Sequence, residues 1–145
     1  MIQIIKFPFD DKAHLKQAFA IRSKVFVEEQ QVNPTLEYDE YEEISNHYLL
    51  FSDGEPAGVA RWRHTSGGIK LERFAVLPHF RGKGLGDALV KRVLDDVVPF
   101  AKQVYLHAQL KACSLYGRNG FVEVGDIFIE ADIEHYKMIY QPKHP

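Results

Sequence analysis

The chain has 145 residues, of which 46% are hydrophobic and 12% aromatic, enough for one compact core and short for two; a single domain over 1–145 is expected. Its 18 basic and 20 acidic side chains leave a formal charge of -2, so no global field draws it to nucleic acid or an anionic membrane, and any anion site must be local. One cysteine, Cys113, excludes an intrachain disulfide or a multi-cysteine zinc cluster; with no signal-like start and no apolar run near the roughly 18 residues of a span, a soluble cytoplasmic protein is expected.

Residues 2–7 are apolar and partly β-branched and stop at Pro8, which predicts a first strand, with Asp10 or Asp11 able to cap the segment after it. From 11 to about 30, Leu15, Ala18, Phe19, Arg22, Val25 and Phe26 recur at helical intervals, predicting an amphipathic helix that Gln31-Val32-Asn33-Pro34 ends. Residues 37–43, EYDEYEE, hold five acids and read as a solvated loop or short helix, or as an acidic rim that draws in a cationic acceptor.

Residues 46–51 and 56–63 flank an Asp53-Gly54 turn and predict a hairpin, and Ser66-Gly67-Gly68 turns the chain into a third strand over 69–77. Pro78 closes that strand, a glycine-rich stretch occupies 81–86, and Leu85, Ala88, Leu89, Arg92, Val93, Val97 and Val98 then keep helical spacing up to Pro99. A strand at 104–108, a short helix at 111–119 and a strand pair at 121–129 and 134–140 complete the chain. This order predicts an α/β (α+β) fold: a mixed sheet flanked by helices, with one parallel pair made by the crossover through the 83–98 helix.

Arg81-Gly82-Lys83-Gly84-Leu85-Gly86 carries the chemistry, because glycines let backbone amides converge on an oxyanion in front of a helix N-terminus. A Walker loop needs Ser or Thr after its lysine, and the dinucleotide fingerprint needs glycine where Asp87 stands, so neither reading fits. A bare strand-to-helix turn remains the plain alternative, though it needs neither three glycines nor two cations.

Arg81, Gly84 and Gly86 match the central signature of the GNAT superfamily, which the sequence resembles; Leu71-Glu72-Arg73-Phe74-Ala75-Val76-Leu77-Pro78 looks like the strand before that signature, and Leu115-Tyr116-Gly117-Arg118-Asn119-Gly120-Phe121 like the closing segment. Ala20-Ile21-Arg22, Val25-Phe26-Val27-Glu28-Glu29-Gln30 and Leu106-His107-Ala108-Gln109 bring it near small bacterial ElaA-like acetyltransferases. The resemblance covers the whole chain and implies a mostly antiparallel sheet of six to seven strands, about four helices, and a splayed parallel pair at the centre.

It further implies acetyl-CoA as co-substrate, no metal, a primary amine acceptor, and, since GNAT domains often pair, a homodimer. Amides of Arg81, Gly82, Lys83, Gly84, Leu85, Gly86 and Asp87 would hold the diphosphate of coenzyme A, while backbone groups of Phe74, Ala75 and Val76 would pair with the pantetheine arm. An amide near Val76 would polarise the thioester carbonyl. Tyr116 would protonate the departing thiolate, or else pack and only hydrogen-bond the sulfur.

Glu72, placed by strand alternation on one face with Phe74 and Val76, is the candidate base, with an ion pair to Arg61 or Arg73 as its alternative; His135 is a second candidate. Cys113 reads as a small buried hydrophobe rather than a nucleophile. The competing functions are an acyl-CoA-sensing module that has lost transfer and an interaction protein that uses a sheet edge.

Overall fold

A computed structural model describes residues 1–142. Seven strands form one sheet: β1 (Ile2–Phe7), β2 (Asn46–Ser52), β3 (Glu55–Thr65), β4 (Gly68–Val76), β5 (Val104–Gln109), β6 (Phe121–Glu130) and β7 (Ile133–Tyr140). Their spatial order is β1-β2-β3-β4-β5-β7-β6, every neighbouring pair is antiparallel except β4 and β5, and the expected mixed sheet is therefore present.

Four helices cover it: α1 (Lys12–Arg22), α2 (Pro34–Glu37), α3 (Leu85–Val97) and α4 (Cys113–Gly117). Asp11 supplies the α1 cap, its carboxylate accepting from the His14 amide at 3.3 Å. The helix predicted over 11–30 keeps α geometry only to Arg22 and is π-wound over Ser23–Glu29, where the Gln30 amide reaches back five residues to the Val25 carbonyl at 3.0 Å. Such wide turns gather at functional sites, and Val25 and Phe26 of this one line the cleft that opens between β4 and β5. The helix expected over 111–119 is a 3-10 turn and then the short α4.

Each sheet face buries its own core, which is why inward residues alternate along the strands. Leu85, Leu89, Val90, Val93, Leu94 and Val97 of α3 pack on Ala60, Trp62, Ile69, Leu71, Val104 and Leu106. On the other face, Leu15, Ala18, Ile21, Val25 and Phe26 pack on Phe7, Leu49, Val59 and Ala75.

Two irregularities position the site. The parallel pairing of β4 with β5 lasts three residues, Ile69 with Val104, Lys70 with Tyr105 and Leu71 with Leu106, and beyond it the strands diverge as the resemblance implied. The β3 to β4 register then slips between Val59 and Arg61, where Arg73 takes a left-handed φ of 61°. This bulge corrects the simple alternation: Phe74 and Val76 join Ile69 and Leu71 on the α3 face, whereas Glu72 bonds Arg61 and Arg63 on the opposite face.

Candidate active site

Where β4 and β5 part, a cleft of about 790 Å³ runs through the sheet from the glycine loop to the face carrying α1 and α2. Gly82, Gly84, Leu85, Gly86, Asp87, Phe74, Ala75, Val76, Glu72, Tyr116 and the Arg81 side chain all line it, so the divergence gathers nearly every residue singled out from the sequence. Lys83 lies just outside, its ammonium 5.7 Å from the centre of the Phe80 ring.

The loop is shaped to receive an anion. The Arg81 amide is spent on the Pro78 carbonyl at 3.2 Å and the Ala88 amide on the Gly84 carbonyl at 3.1 Å; between them the amides of residues 82–87 meet no acceptor among the described residues. Gly82 and Gly84 hold φ of 80° and 77°, which L side chains rarely adopt, and a Cβ on either would touch no protein atom. Backbone conformation, not packing, demands these glycines, and the space in front of them is open. Gly84 also caps α3, adding the positive end of a 13-residue helix.

Side chains brace the loop from both flanks. Arg81 bonds Glu29 through both terminal nitrogens at 2.7 Å and the Val76 carbonyl through Nε at 2.9 Å, tying the loop to the end of the π-wound segment. Asp87 accepts from Arg118 at 2.9 and 3.1 Å and from Asn119 at 3.0 Å, and these bonds hold its carboxyl below the usual carboxylate range. Its charge is thereby neutralised beside the anion-seeking amides.

Tyr116 of α4 stands edge-on to Phe74 and Phe121, ring centres 5.9 Å away in each case. No described residue bonds its hydroxyl, yet no buried side-chain oxygen or nitrogen among the described residues lacks a partner, so the hydroxyl opens onto the cleft. Burial pushes the phenol well above its ordinary value and keeps it protonated, the state a proton donor needs. Cys113, one turn earlier, is also raised by burial, and its sulfur lies 3.6 Å from the Gln109 carbonyl, which fits a packed thiol.

Glu72 is held differently from the expected exposed pair. Its side chain is only 7% exposed, with Oε1 at 2.9 Å from Arg61 and 2.8 Å from Arg63, and Oε2 at 3.3 Å from Lys70. Burial alone would raise this carboxyl, but Arg61, Arg63 and Lys70 outweigh it and bring it from 4.5 to about 2. A carboxylate so stabilised is a poor proton acceptor.

The acidic tract starts at the end of the short α2, and it is largely internal rather than solvated, with Glu37 and Asp39 lining the cleft. Glu37 and Glu42 are buried and clamp Arg22, with bonds of 2.6 to 2.9 Å, and Asp39 bonds Arg61 at 2.7 and 2.9 Å and Arg73 at 3.1 Å. Only Glu40 and Glu43 of the five acids are exposed. Arg22 follows the helical stripe because it points inward, where its guanidinium meets these carboxylates and lies 5.0 Å from the centre of the Phe19 ring and 5.3 Å from that of the Tyr38 ring.

Sequence reading assigned no role to His107 or Glu130, which the structure joins at 3.1 Å on the wall of the cleft away from α3, beside His135. They stand 23 residues apart in the chain, and only the β5-β7-β6 pairing reveals the contact.

The comparisons agree with this geometry. Residues 11–142 match the family model described as an acetyltransferase (GNAT) domain. The chain is 34% identical over 131 residues to the uncharacterized N-acetyltransferase YjcF of Bacillus subtilis, covering 89% of this chain and 94% of that one. Among solved structures, it superposes on Escherichia coli ElaA with a TM-score of 0.85 at 25% identity, covering 97% of this chain and all of the other, 100%. An acyl-CoA N-acyltransferase from Pseudomonas aeruginosa gives 0.84 at 28% identity, covering 96% and 99%. Sheet order, diverging parallel pair and a match running nearly the length of the chain lead to one assignment: the chain belongs to the GNAT acetyltransferase family and is an acyltransferase.

Proposed function

We propose that this chain is an acetyl-CoA-dependent N-acetyltransferase that acetylates the primary amine of a small-molecule acceptor by direct attack in a ternary complex. The observation that carries the reading is the continuity of the cleft, which joins the unbonded amides of residues 82–87 to the charged face beneath α1 and α2 past the Tyr116 hydroxyl. A long, polar-headed thioester and a second substrate can thus meet from opposite faces of the sheet.

In this mechanism residues 82–87 and the α3 N-terminus grip the diphosphate, Arg81 and Asp87 brace that loop, and the β4 edge at Phe74, Ala75 and Val76 aligns the pantetheine arm as an added strand. An amide near Val76 polarises the thioester carbonyl, and alignment of amine and thioester supplies much of the rate. The amine nitrogen bonds the carbonyl carbon, the carbon-sulfur bond breaks, and Tyr116 delivers its proton to the sulfur. Glu72 serves as an anchor for Arg61, Arg63 and Lys70, not as the base.

Calorimetry with coenzyme A, and then thiol release from acetyl-CoA across a panel of primary amines, tests the reading. Binding together with amine-dependent thiol is expected. Failure of the folded protein to bind coenzyme A refutes it, and binding without thiol release from any amine replaces it with an acyl-CoA-sensing module.

A further inference from the structure

The acceptor side of the cleft holds one pair of titratable groups that the acetyl-transfer steps leave unused. His107 is the first β5 residue beyond the last β4 pair, so it sits where the strands part, on the face away from α3. Its Nδ1 lies 3.1 Å from Glu130 Oε1, at the end of β6, and its ring is set edge-on to Phe128 at 4.9 Å. A carboxylate only accepts, so Nδ1 carries the proton, and in the neutral ring Nε2 keeps the free lone pair. No described residue bonds that nitrogen.

Its neighbours are less well placed. Glu72 is saturated by three cations. His135 donates from Nδ1 to the Ile133 carbonyl at 2.7 Å and has Nε2 3.8 Å from Glu130 Oε2, beyond hydrogen-bond reach, but its side chain is only 7% exposed against 25% for His107, so a ligand and solvent reach it less well. These groups do not converge as metal ligands would, since no cluster of three ligating side chains occurs among the described residues. His107 combines a lone pair and a place on the cleft wall with a carboxylate partner that favours the charged ring, where His135 has a backbone carbonyl.

We propose that His107 Nε2 takes the proton from the acceptor ammonium, with Glu130 as the positioning residue that orients and charges the pair. This rests on the amine-acetylation reading and adds the group that reading lacks. An ammonium nitrogen loses two protons on its way to an amide: the first passes to His107 and on to solvent through the open mouth, and the second replaces the proton that Tyr116 gives to sulfur. The charged groups facing His107 are Lys70 and Glu72 from β4, Glu130 from β6, and His135 and Lys137 from β7. The hydrogen bond from His107 holds the Glu130 carboxyl below its ordinary value, helped by Lys70 and His135 against burial, so it stays an anion when the ring charges.

The test takes acetyl-CoA and the panel amine that releases thiol fastest, and measures kcat/KM against pH for the wild type, His107→Gln and Glu130→Gln. His107→Gln is expected to fall about 100-fold near pH 7, with the acidic limb lost and the deficit shrinking to several-fold near pH 10, where the amine deprotonates by itself. Glu130→Gln falls less, and Glu130→Asp recovers part of the loss. Imidazole nitrogen NMR on the wild type should show His107 protonated at Nδ1. A deficit constant with pH, an unchanged acidic limb, or protonation at Nε2 in the neutral ring overturns the proposal while leaving acetyl transfer intact. No thiol release from the wild type removes both.

Discussion

Replacing Glu72 with glutamine separates a structural carboxylate from a catalytic one. Its folded pKa of about 2 lies below the ordinary 4.5, so it contributes stability that is fully present above pH 4.5 and drains away as pH falls toward 2. At roughly 1.4 kcal/mol per unit, the shift corresponds to about 3 kcal/mol near neutrality, and the side chain is only 7% exposed, so solvent screening removes little of it. Breaking one partner out of a buried ion pair independently costs about 3–5 kcal/mol. Glu72→Gln should therefore lose about 3 kcal/mol in urea unfolding at pH 7, with more than half of that gap gone by pH 3. The folded variant should keep the acidic limb of its rate profile. A gap that is absent at pH 7, or flat from pH 7 to 3, refutes the charge account, and a variant of normal stability without turnover would restore Glu72 as the base.

Gly84→Val forces a β-branched residue to a φ of 77°, so it should cost about 1–2 kcal/mol in stability and weaken coenzyme A binding more than tenfold by calorimetry; the excess loss marks displaced amides. Tyr116→Phe removes a hydroxyl without a described protein partner, so melting temperature and coenzyme A affinity should hold while kcat drops about 100-fold. Ala131→Gly should stabilise by about 0.5–1 kcal/mol in denaturant titration, because Ala131 sits at a φ of 51° in the two-residue β6 to β7 turn.

Much of the fold could be read from sequence because strand alternation, the α3 stripe and the turn residues agree with one another from 46 to 98. The glycine loop was equally readable, since residues 82 and 84 need a backbone freedom that only glycine offers cheaply. The face of Glu72 was not, because period-two counting presumes an unbroken ladder and the β3 register that creates the bulge is a property of two strands. The partners of Glu37, Asp39 and Glu42 were hidden for a related reason: a run of acids is scored as solvated unless the arginines that meet it, Arg22, Arg61 and Arg73, are known to converge. The π-wound stretch kept its apolar residues in helical order, so spacing alone registered no change of pitch.

The single additional residue at Arg73 works as a half-turn inserted into an otherwise regular ribbon. Without it, Phe74 would be turned toward the arginine layer and Ala75 toward α3, exchanging the greasy wall on the α3 side of the cleft for the ionic floor beneath α1 and α2. Homologous chains that gain or lose one position there would keep nearly the same composition and yet have the two walls of the cleft interchanged, so this position governs sidedness and not merely local shape.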